Sequence, residues 1–147
     1  MSDQPDLQRV ADELEIRNVL ARIAQHADTG RVADYVALFT EDARWEMPDN
    51  PSIGLAGSVR TGRDTIEEGV HERRAAGVQG PGSDSLHAII TSSISFDDAD
   101  TARAHTYFQY YASTTTAPTL QNMGQYRDTF RRTPDGWKLA ERIITFG

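Results

Sequence analysis

Four long runs rich in β-branched and aromatic residues fill the second half of this chain, at 85–96, 102–115, 122–132 and 137–146. They are divided by the turn signals Asp97-Asp98-Ala99-Asp100, Thr116-Ala117-Pro118 and Thr133-Pro134-Asp135-Gly136. Consecutive runs joined this way read as a meander, so this half of the chain must build an antiparallel sheet with one face to bury.

The first half supplies what can cover that face. Residues 7–27 carry Ile16, Leu20, Ile23, Ala24 and Ala27 at the three- and four-residue spacing of a buried helical stripe, and Gly30 stops the pattern. Residues 32–39 repeat that spacing with Val32, Tyr35, Val36 and Phe39, and Ala43, Trp45 and Met47 then alternate as in a short strand. Proline and glycine make 48–62 a loop. Thr61-Gly62-Arg63-Asp64 has the form of a capping box and starts a third helix through about Ala76. The glycine-rich stretch 77–82 breaks the chain and is expected to be mobile. Together these elements predict one α+β domain over residues 1–147, a curled antiparallel sheet packed on about three N-terminal helices.

Composition removes several classes of function. A formal charge of -7 lacks the clustered cations that nucleic acid or an anionic membrane would need. With zero cysteines, disulfides, thiolate metal sites and a cysteine nucleophile are excluded. The four histidines fall on separate elements with no metal-ligand spacing, and 77–82 lacks the lysine of a phosphate loop, so no cofactor or metal is expected. No apolar run spans a bilayer, and the acidic start Met1-Ser2-Asp3-Gln4-Pro5-Asp6 is unlike a signal peptide, which predicts a cytoplasmic protein.

One residue stands in an unfavourable place. Asp28 continues the row Leu20, Ala24 on the buried face of the first helix, where a carboxylate loses water and meets the negative end of the helix dipole. It needs a partner. Either it bonds backbone in the turn before Gly30, or it is a cavity carboxylate that orients a histidine. Alternation in the strands offers candidates. His87, Ile89, Thr91 and Ser93 lie opposite Leu86, Ala88, Ile90, Ile94 and Phe96, and His105, Tyr107, Gln109 and Tyr111 lie opposite Ala104, Thr106, Phe108 and Tyr110. In the last run Arg142 shares a face with Ala140, Ile144 and Phe146. A face of His, Tyr, Gln and Arg among apolar residues reads as a pocket lining. Leu86, Ile90, Ile94, Phe108 and Tyr110 are left for the other face, more apolar surface than water should meet, which predicts self-association.

Asp28 within His26-Ala27-Asp28-Thr29-Gly30, then Leu38-Phe39-Thr40-Glu41-Asp42-Ala43-Arg44-Trp45, Gly62-Arg63-Asp64-Thr65-Ile66, His87, and Asp135-Gly136-Trp137-Lys138-Leu139-Ala140-Glu141-Arg142 resemble the SnoaL-like branch of the superfamily named for nuclear transport factor two. The resemblance covers essentially the whole chain. It implies a cone-shaped α+β fold enclosing one pocket, with Asp28 and His87 as a dyad and Arg142 at the position that assists a leaving group in a dehydrochlorinase. His105 is a loose counterpart of a second histidine in scytalone dehydratase. Where some dehydratases carry a tyrosine one turn before the aspartate, this chain has Ile23 or Ala24.

These readings converge on a cofactor-independent lyase, isomerase or cyclase that draws a proton from an apolar, cyclic small molecule. The candidate catalytic residues are Asp28, His87 and Arg142, and the candidate ligand contacts are His105, Tyr107, Gln109, Tyr126 and Trp45. The competing class is a non-catalytic binding domain or an assembly subunit resembling the β subunit of ring-hydroxylating dioxygenases. In either case the resemblance implies a homodimer or homotrimer.

Overall fold

The computed structural model describes residues 6–147, and the acidic stretch 1–5 lies outside the described residues. Helix α1 runs Leu7–Thr29, its first turn capped by the Asp6 carboxylate, which accepts from the Arg9 amide at 3.2 Å. Helix α2 is Val32–Val36 and strand β1 is Phe39–Met47. A 3-10 turn at Pro51–Ile53 precedes β2, Ser58–Thr61, and α3, Arg63–Ala75. Strands β3 (Ser85–Phe96), β4 (Thr101–Ala112), β5 (Thr119–Thr133) and β6 (Gly136–Phe146) complete the chain. Among the described residues, no helix is long and apolar enough to cross a membrane.

The six strands form one open sheet in the order β2-β1-β6-β5-β4-β3. Its pairs are antiparallel except β1 with β6, which run parallel and make the sheet mixed. The long strands curl over the helices, α1 packing on β3 and β6 and α3 on β1, which gives a cone-like α+β fold. Phe39, Phe130, Ile16, Ile23 and Leu139 are sealed at its centre.

Three local expectations are corrected. Helix α2 ends at Val36 because β6 captures the chain: the Leu139 amide donates to the Leu38 carbonyl at 2.9 Å, and Phe39 pairs with Leu139. The segment 48–62 is not all loop, since Ser58–Thr61 forms an edge strand on β1, too short and polar to show an alternation. That pairing holds the Thr61 backbone in the sheet opposite Arg44, so no capping box forms and Gly62, at φ 95°, becomes the N-cap of α3.

Bulges decide the faces. Between Ile89 and Thr91 the β3 register shifts by one residue, which leaves Leu86 and Ile90 outside and turns Ile94 and Phe96 inward with His87 and Ile89. Ala140 is the extra residue on β6, so Arg142 shares the inner face with Leu139, Ile144 and Phe146 and Ala140 does not. On β4 the alternation is regular but the expected polarity is reversed. Ala104, Thr106, Phe108 and Tyr110 are buried, while His105, Tyr107, Gln109 and Tyr111 stand on the outer face. A half-buried antiparallel strand puts its polar side toward water, and that is what the His-Tyr-Gln-Tyr row is. The outer apolar set is therefore Leu86, Ile90, Tyr107, Leu120 and Met123, with Ile94, Phe108 and Tyr110 inside.

A buried carboxylate at the other end of α1 fastens the helix to the sheet. Asp12 receives two bonds from Arg132, at 2.9 and 2.6 Å, and one from the Trp137 indole at 3.0 Å. These bonds, led by Arg132, hold its pKa at about 2 against the opposing effect of burial. Because the folded value lies below the ordinary 3.8, the resulting stabilisation is full above that value and is lost as pH falls toward 2. The loss should be about 2 kcal/mol. Urea midpoints at neutral and acid pH check it: Asp12→Asn should remove much of the acid sensitivity, and an unchanged acid loss would reject the assignment.

Candidate active site

The end of α1 points its last buried side chain at β3. Asp28, 3 % exposed, spans two groups of the same residue: Oδ2 accepts from the His87 backbone amide at 2.8 Å and Oδ1 meets His87 Nδ1 at 2.6 Å. The carboxylate thus selects the Nδ1–H tautomer and fixes both the ring and the strand that carries it. The Gly30 turn is closed by its own amide on the His26 carbonyl, without the Asp28 side chain. His87 Nε2, the basic nitrogen, has no partner among the described residues and belongs to a side chain that lines a cavity between the helices and the sheet. The Tyr110 ring, 4.6 Å from the imidazole between centroids, backs it from β4.

Tyr110 itself is fixed from below. Its hydroxyl meets Ser85 Oγ at 2.7 Å and the Val78 carbonyl, and Ser85 and Ser83 hydroxyls lie 2.6 Å apart. Burial pushes its pKa up. On α3, Arg74 reaches the C-terminal carbonyls of α1, donating to His26, Ala27 and Gly30 at 2.9, 3.3 and 2.8 Å. A cation at that end offsets the helix dipole and holds the turn from which Asp28 projects. Gly80, at φ 95°, lies against the Arg74 side chain with no room for a Cβ. The stretch 77–82 touches the machinery that positions the dyad through the Val78 carbonyl and Gly80.

The cavity has about 650 Å³ of empty space including its opening to solvent, room for a one- or two-ring organic molecule. Its walls are mainly apolar, with Ile23, Ala27, Met47, Phe108, Ile144 and Phe146 among them. Two phenols face this space. Tyr35 and Tyr126 are 4 % and 5 % exposed, and neither hydroxyl has a partner among the described residues. Burial raises both pKa values, so both remain neutral donors at physiological pH. Tyr126 stacks on Phe108 with ring planes 10° apart, which fixes its orientation.

Arg142 enters the cavity wall already engaged. Its Nε and Nη2 donate to the two oxygens of Asp128, each at 2.9 Å, and its guanidinium lies 3.8 Å from the Tyr126 ring centroid. Burial disfavours the charge, but the facing Asp128 carboxylate outweighs it and raises the arginine's pKa. Asp128, 2 % exposed, carries no sequence signal for this role. Its position directly opposite Arg142 across β5 and β6 was hidden by the Ala140 bulge.

Of the sequence candidates, Asp28 and His87 come together, and Arg142, Tyr126 and Trp45 join His87 in the cavity lining. His105, Tyr107 and Gln109 do not reach it. They lie across the sheet, where His105 Nε2 bonds Gln125 at 2.7 Å and Gln109 accepts from Tyr111 at 2.8 Å. Tyr35 and Arg73 also line the cavity; the helical spacing of Tyr35 marks it only as buried, and no sequence pattern marks Arg73. The lining also includes Asn50, Ile53 and Leu55 of the segment 48–62 and Val78 and Gln79. Asn122 tethers the first of these segments, donating to Ser52 Oγ at 2.9 Å, and Ser52 donates to Asn50 at 2.6 Å. Among the described residues, no three His, Asp or Glu side chains converge as a metal would require.

Comparison with solved structures finds this architecture elsewhere. A nuclear transport factor two-like protein with a cystatin-like fold from Novosphingobium aromaticivorans superposes with a TM-score of 0.78 at 24% identity, covering 95% of this chain and 84% of the other. A second protein from that organism, provisionally assigned as a scytalone dehydratase, gives 0.75 at 20% identity, with 95% and 87% covered. ActVI-ORFA from Streptomyces coelicolor gives 0.70 at 22% identity, with 91% and 96% covered. These identities speak to fold. Curated protein sequences give no match. The sequence does match the SnoaL-like domain over residues 8–143, and with the cone-like fold beside it, the chain belongs to the SnoaL-like domain family.

Proposed function

We propose that the protein is a cofactor-independent lyase, isomerase or cyclase that removes a proton from carbon in a small cyclic substrate. The observation that carries this reading is His87, locked through Nδ1 and its own backbone amide by Asp28, with Nε2 free in an apolar cavity. In the reaction, His87 Nε2 accepts the proton from a C–H next to a carbonyl. The imidazolium is stabilised by the Asp28 carboxylate, and the electron pair moves onto the carbonyl oxygen. Tyr35 and Tyr126, as neutral phenols, donate hydrogen bonds to that developing oxyanion. The Arg142–Asp128 pair adds a rigid dipole and aims Tyr126. The protonated His87 then returns its proton to another carbon or to a departing hydroxyl.

Deuterium exchange into bicyclic ketones such as 2-tetralone, followed by NMR in heavy water, tests the reading without knowledge of the natural substrate. The protein should accelerate exchange well above buffer. Absence of acceleration across a ketone panel would replace catalysis with the non-catalytic reading, a binding or assembly module.

The oligomer is part of the same proposal. Leu86, Ile90, Tyr107, Leu120 and Met123 are each 43–46% exposed on the outer sheet face, which favours burial against a second copy. Light scattering at micromolar concentration should give a dimer or trimer, and a monomer would remove this element.

A further inference from the structure

Arg73 sits in the last turn of α3 and lines the cavity together with Gln79. Its guanidinium stacks on Trp45, 4.8 Å from a ring centroid, and Nε donates to Gln79 Oε1 at 2.7 Å. Those contacts use one face and one edge. Nη1 and Nη2, the fork that grips an oxyanion, have neither a hydrogen-bond nor an ion-pair partner among the described residues. In a chain of net charge -7 this absence is selective. Glu72, next along α3, is taken by Arg60 at 2.6 Å. The other cavity guanidinium, Arg142, has its fork filled by Asp128. Burial pulls the Arg73 pKa down, the expected mark of a cation lacking its counter-ion.

We propose that the ligand of this cavity is an organic acid whose carboxylate binds the Arg73 fork while its one- or two-ring body fills the apolar space toward His87. The inference rests on the cavity being the ligand site and adds the substrate's charge and orientation. Trp45 and Gln79 preset the guanidinium plane, so little ordering is required when a planar carboxylate arrives. The phenols of Tyr35 and Tyr126, being neutral, leave Arg73 as the charged group available to the ligand.

Calorimetric titration of 2-naphthoate and its methyl ester separates charge from shape. Wild-type protein should bind the acid at least about tenfold more tightly than the ester. Arg73→Gln should erase that preference by weakening the acid alone, with ester affinity retained as the sign of an intact fold, and Arg73→Lys should restore part of it. Equal affinities in wild type, no binding of the acid, or a preference that survives Arg73→Gln would each overturn the proposal. His87→Gln should keep the acid preference, so loss of the anion site and loss of the proton-transfer reading are distinguishable.

Discussion

His87→Gln is expected to lower ketone proton exchange on the order of a thousandfold while the fold persists, because a side chain without a basic nitrogen replaces the group proposed to accept the proton. The fold should survive since Asp28 keeps its bond to the backbone amide of residue 87. Asp28→Asn should be nearly as damaging. The amide keeps the shape but withdraws the charge that stabilises the imidazolium and selects the Nδ1–H tautomer. Exchange rates measured beside circular dichroism check both variants, and a rate within a few fold of wild type for His87→Gln would dismiss the dyad as the proton acceptor.

The second large effect is on stability. Asp128→Leu leaves the Arg142 guanidinium charged and unpaired in the cavity wall, at a cost of about 3–5 kcal/mol. Combining it with Arg142→Met removes the stranded charge as well and should recover most of that loss, since a well-packed apolar pair often matches a buried ion pair. Urea unfolding of the two variants measures the difference. A single variant that loses less than about 1 kcal/mol would mean water reaches Arg142 and solvates it.

Much of the fold was legible because its signals are local. The stripe Ile16, Leu20, Ile23, Ala27 names the buried face of α1, and the Gly30 stop lies one residue past its end. The four long strands were legible as alternating runs bounded by Asp, Pro and Gly turns, within a few residues of their observed limits. The helix face also carried Asp28 into the interior, and a buried carboxylate requires a partner.

What a local pattern cannot carry is pairing. The edge strand Ser58–Thr61 exists because β1 offers an open ladder, and α2 stops short because β6 binds the Leu38 carbonyl. Neither cause lies in the residues it changes. Bulges at Ile90 and Ala140 shift the inward face by one residue without a sequence mark, and a single shift exchanges every side chain between core and solvent. On β4 no bulge intervened at His105, Tyr107 and Gln109, and the error was one of chemistry: a polar row on a strand is the ordinary water-facing side of a sheet. The sequence by itself determined the α+β class, the buried stripe of α1 and the need of Asp28 for a partner, because each follows from the spacing of neighbours along one element. Only the tertiary structure decided that Asp28 grips His87, that Asp128 fills the Arg142 fork and that the Arg73 fork stays open in the cavity. Those outcomes depend on strand register and on which elements close around one space, and both are settled by packing across the sheet, over separations that no periodicity spans.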